Sequence, residues 1–185
     1  MKTYIALLRG INVSGHHKIK MIELRQLFNG LNFKNVSTYI QSGNVIFTST
    51  KNNISKIENS IIEAVKIKFG YDVKVIVITK NELGIIFKSN PFLETSTIEI
   101  TKLSVTFLKK IPNLENIPQI EELVLNTKDD FKLIEKSIYL YLPTGAAKTK
   151  LTNNLFERKL KIDATTRNWK TVTKLVELSS QTIEY

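Results

Sequence analysis

The chemistry this chain could carry is concentrated in a few polar clusters, and the first is Arg9-Gly10-Ile11-Asn12-Val13-Ser14-Gly15-His16-His17-Lys18-Ile19-Lys20. Arg9 offers a planar fork that can clamp a carboxylate or phosphate. Gly10 and Gly15 let backbone N–H groups gather as an anion nest. A helix beginning at Met21 would add the positive end of its dipole. The glycine spacing fits neither a dinucleotide loop nor a Walker loop, which needs Gly-Lys-Ser or Gly-Lys-Thr at its end. The plain alternative is a strand-to-helix loop whose glycines serve turn geometry and whose Arg9 pairs locally. His16 and His17 are the only histidines, and cysteine is absent. Adjacent side chains diverge, so this pair is expected to be solvated and no metal site is predicted.

Ser42-Gly43-Asn44 is the second cluster. Ser42 could be a nucleophile only with a base and an orienting acid nearby. As a turn the triplet needs no further explanation, because Gly and Asn tolerate positive φ. The third cluster is Thr165-Thr166-Arg167-Asn168-Trp169-Lys170-Thr171. Its Thr and Asn residues are candidate caps for a last helix. Arg167 beside a helix N-terminus opposes the dipole unless it meets an anion or an acid. Thr144 to Thr149 ends in Lys-Thr but lacks the glycine before the lysine, so it is read as a turn.

These clusters must be positioned by a chain of 185 residues, enough for one large domain or two small ones. Hydrophobic content of 42% and charged content of 24% are ordinary for a globular protein. No apolar run approaches the roughly 20 residues of a membrane span. The apolar run at the start is short and lacks a cleavage site, so no signal peptide is predicted. The absence of cysteine fits a reducing, cytoplasmic setting. The net charge of +10 points to an anionic partner, such as nucleic acid or a phosphate-bearing molecule. Yet the basic residues are nearly all lysine, spread along every segment without a block, as compositional bias alone would produce.

Periodicity supplies the frame. Thr3–Leu8 reads as a central strand, and Met21, Leu24, Leu27, Phe28 and Leu31 recur at helical spacing. Residues 36–49 read as a hairpin. A helix follows over Ile54–Phe69, with Ser55 and Glu58 at capping-box spacing and Gly70 as its stop. Val73–Ile78 is the clearest strand. The order βαββαβ over residues 1–80 predicts a ferredoxin-like subdomain. Residues 81–98 are read as a connector, with a short helix capped by Thr79 and Glu82 and stopped at Pro91. Residues 99–185 predict a second, degenerate ferredoxin-like half ending in a C-terminal helix. Its helix after Pro112 must start late or break at Pro118. The fold class is therefore α+β, with two halves built on antiparallel sheets.

Three segments taken together resemble one family. Leu7-Leu8-Arg9-Gly10-Ile11-Asn12-Val13 with Lys20-Met21, then Tyr39-Ile40-Gln41-Ser42-Gly43-Asn44-Val45, then Ala164 to Val172 are similar to the bacterial domain-of-unknown-function family 1697. This chain departs from it in reading Ser14-Gly15 where the family usually has Gly-Gly. The resemblance implies an α+β fold with ferredoxin-like parts, and no established activity, substrate or cofactor. It implies that Arg9, Gly10, Asn12, Ser42, Gly43, Asn44, Arg167 and Asn168 are signature polar positions. With Lys20 added from the opening loop, these are the candidate ligand-binding residues. Three functions stay open. One is a binding module for an anionic small molecule or nucleic acid in a cleft built from the 9–20 loop, the 42–44 turn and the 165–171 cap, with Arg9, Lys18, Lys20, Arg167 and Lys170 gathered on one surface. Another is an enzyme using Ser42 or a histidine in the same cleft. The third is a structural or protein-interaction role.

Overall fold

The computed structural model describes residues 1–13, 15, 17–94 and 97–182. The chain forms two compact units, one of residues 1–85 with the stretch from Lys174 onward, the other of Ile86–Thr173. In the first unit the strands are β1 (Lys2–Leu8), β2 (Lys34–Tyr39), β3 (Asn44–Ser49) and β4 (Val75–Thr79), with helices α1 (Met21–Gly30) and α2 (Ile54–Phe69) between them. The sheet order is β2-β3-β1-β4, and every neighbouring pair is antiparallel. That is the split βαβ arrangement. Tyr4, Ala6 and Leu8 point from β1 toward the apolar stripes of α1 and α2, where Leu24, Phe28, Ile57, Ile61 and Val65 are buried. Phe47 lies in this core, 5.4 Å from Phe28 and 4.4 Å from Phe33. It therefore offers no stacking platform for bases.

The second unit repeats this order: β5 (Leu103–Leu108), α4 (Ile117–Glu121), β6 (Asp130–Ile134), β7 (Ser137–Tyr141), α5 (Asn153–Leu160) and β8 (Ala164–Asn168). Its sheet runs β6-β7-β5-β8, again antiparallel throughout. Helices α3 (Lys80–Lys88) and α6 (Trp169–Gln181) follow β4 and β8. The closing strand β8 covers the start of the Thr165–Thr171 cluster, whose Thr and Asn residues were expected as caps for the last helix. Its pattern hid it, because Thr165 and Arg167 are buried polar residues where an apolar alternation was sought. Pro118 sits in the first turn of α4, where a missing N–H costs nothing, and the helix starts late.

The two units share several backbone bonds at equivalent rungs, and each has a helix glutamate bonded to its edge strand, though two residues apart in register. Leu8 N–H donates to Gly43 O at 2.8 Å and Arg9 N–H to Lys74 O at 2.9 Å. At the same rungs Leu108 N–H donates to Lys136 O at 2.9 Å and Lys109 N–H to Asp163 O at 3.0 Å. The fifth residue of α2, Glu58, accepts the Val77 N–H at 3.0 Å, and the fifth residue of α5, Glu157, accepts the Ala164 N–H at 3.0 Å. Each glutamate satisfies an outward N–H on the edge strand of its sheet. Helix α3 starts at Thr79 with the predicted capping box, whose hydroxyl accepts the Glu82 N–H at 3.1 Å while Glu82 accepts the Thr79 N–H at 2.8 Å. Helix α6 starts at the equivalent Asn168, which accepts the Thr171 N–H at 2.8 Å.

The expected Ser55–Glu58 capping box is not formed. Asn53 caps α2 instead, accepting the Lys56 N–H at 2.9 Å, and this frees Glu58 to turn inward. At 3% exposure, that carboxylate must be hydrogen-bonded to be tolerated. Glu58→Ala is expected to cost about 2 kcal/mol, because it strands a buried N–H. Glu58→Gln, which keeps an acceptor, is expected to cost clearly less. Urea unfolding of the two variants checks the order.

Candidate functional site

The opening loop is set by its backbone before any ligand is considered. Gly10, Asn12, Gly15 and His17 all have positive φ, at 70°, 55°, 80° and 45°. Asparagine tolerates that region better than other side chains because it can bond locally. Asn12 does so to both sides. Its Nδ2 donates to Ile19 O and to Gln41 O, each at 2.9 Å, and its Oδ1 accepts the Ile19 N–H at 2.9 Å. One side chain thus closes the loop on itself and ties it to the β2–β3 turn. Ser14 and His16 lie outside the described residues.

The turn is fixed from its own side as well. Asn44, fully buried, donates from Nδ2 to Ser42 Oγ at 2.9 Å and to Tyr39 O at 3.2 Å. Gly43 has φ 73°, and a Cβ there would lie 2.8 Å from Leu8 Cβ and 2.9 Å from Leu8 O. Both the backbone conformation and the close approach of β1 demand glycine. Just before it, Ile40 holds φ 47°, a strained value for a β-branched residue, with half its surface exposed. Strain of this kind persists only where the surroundings over-determine it.

Residues of the loop line two cavities. The larger, about 610 Å³, is lined by Asn12, Lys18, Lys20, Met21, Glu23 and Gln41, with Gly15 and Ile19 completing it. It opens on the N-terminus of α1. That terminus has no side-chain cap, since Lys20 occupies the cap position without a capping bond. Helices α2, α3, α5 and α6 all start at a capped residue, Asn53, Thr79, Thr152 and Asn168. Among the described residues Glu23 is the single carboxylate of this cavity, and it stands 3.9 Å from the Lys20 ammonium. The smaller cavity, about 290 Å³, is lined by Arg9, Gly10, His17, Asp72 and Lys74. His17 packs its ring against Tyr71, with centroids 4.8 Å apart.

Of the candidate residues, Arg9 and Gly10 line the smaller cavity, and Asn12 and Lys20 the larger. Ser42, Gly43 and Asn44 shape the turn whose Gln41 lines the larger cavity. Within the loop, Arg9 lines the smaller cavity and Lys18 and Lys20 the larger. Sequence reading missed Gln41, Asp72 and Lys74 as lining residues. The backbone bond from Arg9 N–H to Lys74 O brings the last of these in from a strand end 65 residues away.

Arg167 and Asn168 belong to the second unit and are accounted for there. Arg167 is on β8, not in a solvent-facing cap. Its Nη1 donates to Thr165 Oγ1 at 2.8 Å and Thr166 O at 2.9 Å. Burial pulls its guanidinium down to about 10, still charged at neutral pH. Asn168 spends its side chain on capping α6. Trp169 opens that helix with its ring stacked on Phe87, centroids 5.1 Å apart and planes within 5°.

A family model described as "Protein of unknown function (DUF1697)" matches residues 1–139. The conserved bacterial protein SP0830 from Streptococcus pneumoniae has a solved structure similar to this one, with a TM-score of 0.75 and 21% identity. The match covers 96% of this chain and 98% of that one. At that identity the likeness shows a shared fold. A search of curated proteins finds no match. No helix among the described residues is long and apolar enough to cross a membrane.

Gly43→Ala tests whether the turn is as tightly specified as its geometry states. The variant is expected to lose about 2–4 kcal/mol, from positive φ and from the clash with Leu8. Thermal unfolding of the purified variant, set beside Gly145→Ala, where a Cβ meets nothing within 4 Å, separates the two causes.

Proposed function

The chain belongs to the DUF1697 family of proteins of unknown function, and we propose that it is a binding module for a small anionic ligand held in the larger cavity at the start of α1. The observation that carries this reading is the conjunction of an uncapped helix N-terminus with Lys18 and Lys20 around one cavity of ligand size. The first N–H groups of a helix lack intrahelical acceptors, and the dipole leaves positive charge there. A phosphate or carboxylate supplies the missing acceptors. The two ammonium groups add attraction, and Ile19 and Met21 offer an apolar wall for the rest of the molecule.

The chemistry favours a small anion over nucleic acid. Single-strand readers on this fold stack bases on exposed sheet aromatics. Phe47, the aromatic that β3 would contribute, is core. Basic residues elsewhere are dispersed along the chain.

The test is a titration with a panel of phosphorylated and carboxylated small molecules, followed by backbone amide NMR. A binder is expected to shift the amides of Met21, Ile22 and Glu23 saturably. Replacing both Lys18 and Lys20 by alanine is expected to weaken it by about tenfold or more, since hydrogen bonds to charged groups are worth about 1.5–3 kcal/mol each before solvent screening. If no anion in the panel moves those amides at millimolar concentration, the reading fails.

A further inference from the structure

Basic residues in this chain are overwhelmingly lysine, 23 against four arginines, so each arginine stands against the compositional trend. Three of the four have partners within the molecule. Arg25 Nη1 donates to Thr38 Oγ1 at 2.7 Å, Arg167 is bonded to Thr165 and Thr166, and Arg9 has interactions within the chain. Arg158 differs. Among the described residues its guanidinium has no hydrogen bond or ion pair. It lies in the last turn of α5, where the helix dipole favours a cation. That accounts for a positive charge and not for an arginine, since lysine serves the dipole equally and is what this chain otherwise uses. Nor does the fold require a cation there. In α2 the position after the inward Glu58 is Asn59, and in α5 the position after Glu157 is Arg158.

Arg158 lines a cavity of about 300 Å³ in the second unit, together with Leu123, Lys150, Thr152, Asn154 and Leu155. Asn154 and Leu155 precede it by four and three positions, so one face of α5 presents all three. Lys150 brings a second cation from the segment ahead of the helix, and its ammonium likewise has no partner among the described residues. Among those residues no carboxylate lines the cavity. Both cations are exposed, so an anion reaches them directly from solvent. The Thr152 hydroxyl accepts the Leu155 N–H at 3.2 Å, which leaves its own proton to donate. Arg158 supplies a planar donor fork and Lys150 a compact charge, a combination suited to a tetrahedral oxyanion. Leu155 is buried and Leu123 partly so, which gives the cavity an apolar wall. Its volume is at the small end of ligand pockets and suits a compact anion.

We infer that Arg158, Lys150 and Thr152 form an oxyanion site of the phosphate class in the second unit, sharing no residue with the cavity at the start of α1. The probe is inorganic phosphate added to the full chain at constant ionic strength, with chloride as the control anion and NMR as the readout. Saturable shifts are expected at the amides of Thr152, Asn154 and Leu155 and at the Arg158 Nε–H, absent with chloride. Arg158→Asn installs the residue type that α2 carries, so it is expected to stay folded while weakening phosphate by about tenfold. Arg158→Lys keeps the charge and removes the fork, and is expected to weaken phosphate by about threefold or more. Lys150→Ala is expected to act similarly. The Lys18→Ala, Lys20→Ala double variant is expected to leave these shifts unchanged, so failure at one site is distinguishable from failure at the other. Shifts that never saturate, that chloride reproduces, or that survive Arg158→Asn in a folded protein would overturn the proposal. So would an Arg158→Lys variant that binds phosphate as tightly as the unaltered chain, because the arginine would then have no role of its own.

Discussion

One amide side chain holds the candidate site together. Asn12 donates to Ile19 O and Gln41 O and accepts from Ile19 N–H. Without those bonds a loop containing four left-handed residues would be an ensemble, since each such residue is a sparsely populated choice for an L-amino acid. With them, the loop has one course. That course sends Lys18 and Lys20 toward the start of α1 and Arg9 toward Lys74. Preorganisation of this kind matters most for small ligands, because a compact anion has little contact area with which to order a floppy loop.

The duplicated architecture shows which features belong to the fold and which are particular to the first unit. Edge-strand glutamates, helix caps after the fourth strand and the rung from the end of the first strand recur in both units. They are the recurring hydrogen-bond solutions of this sheet and helix arrangement. The extended Arg9–Lys20 loop does not recur. Its counterpart in the second unit, from Lys109, passes through Pro112 into a short 3-10 turn at Leu114–Asn116 and then α4. Among the longer described helices α1 alone starts without a side-chain cap, and its short counterpart α4 also lacks one.

The sequence made the helices and most strands legible because their apolar stripes follow the periods of the structures they form. It made the capping box at Thr79 and Glu82 legible because that interaction is local. It misled where a residue's partner is distant. Ser55 and Glu58 have capping spacing, yet Glu58 serves the Val77 N–H, 19 positions away. Ala164–Asn168 did not read as a strand because its polar positions are satisfied by hydrogen bonds, with Thr106 Oγ1 and Thr166 Oγ1 2.7 Å apart and Arg167 bonded to Thr165. In the site, Arg9 and Lys20 stood out by type and spacing. Lys74 did not, because what recruits it is the register of β1 against β4, and no local pattern records that register. The roles of Asn12 and Gly43 were similarly hidden, since each is defined by contact with the other loop.

The claim that Asn12 preorganises this site is tested most directly by amide hydrogen exchange at Ile19, whose N–H donates to Asn12 Oδ1. In the unaltered chain Ile19 is predicted to exchange slowly. In Asn12→Ala it is predicted to exchange at least about tenfold faster, from the loss of about 1.5 kcal/mol or more of loop protection, while Val77, held by Glu58, is unchanged. Equal protection of Ile19 in both proteins would contradict the account, because the loop would then keep its course without the side chain assigned to hold it.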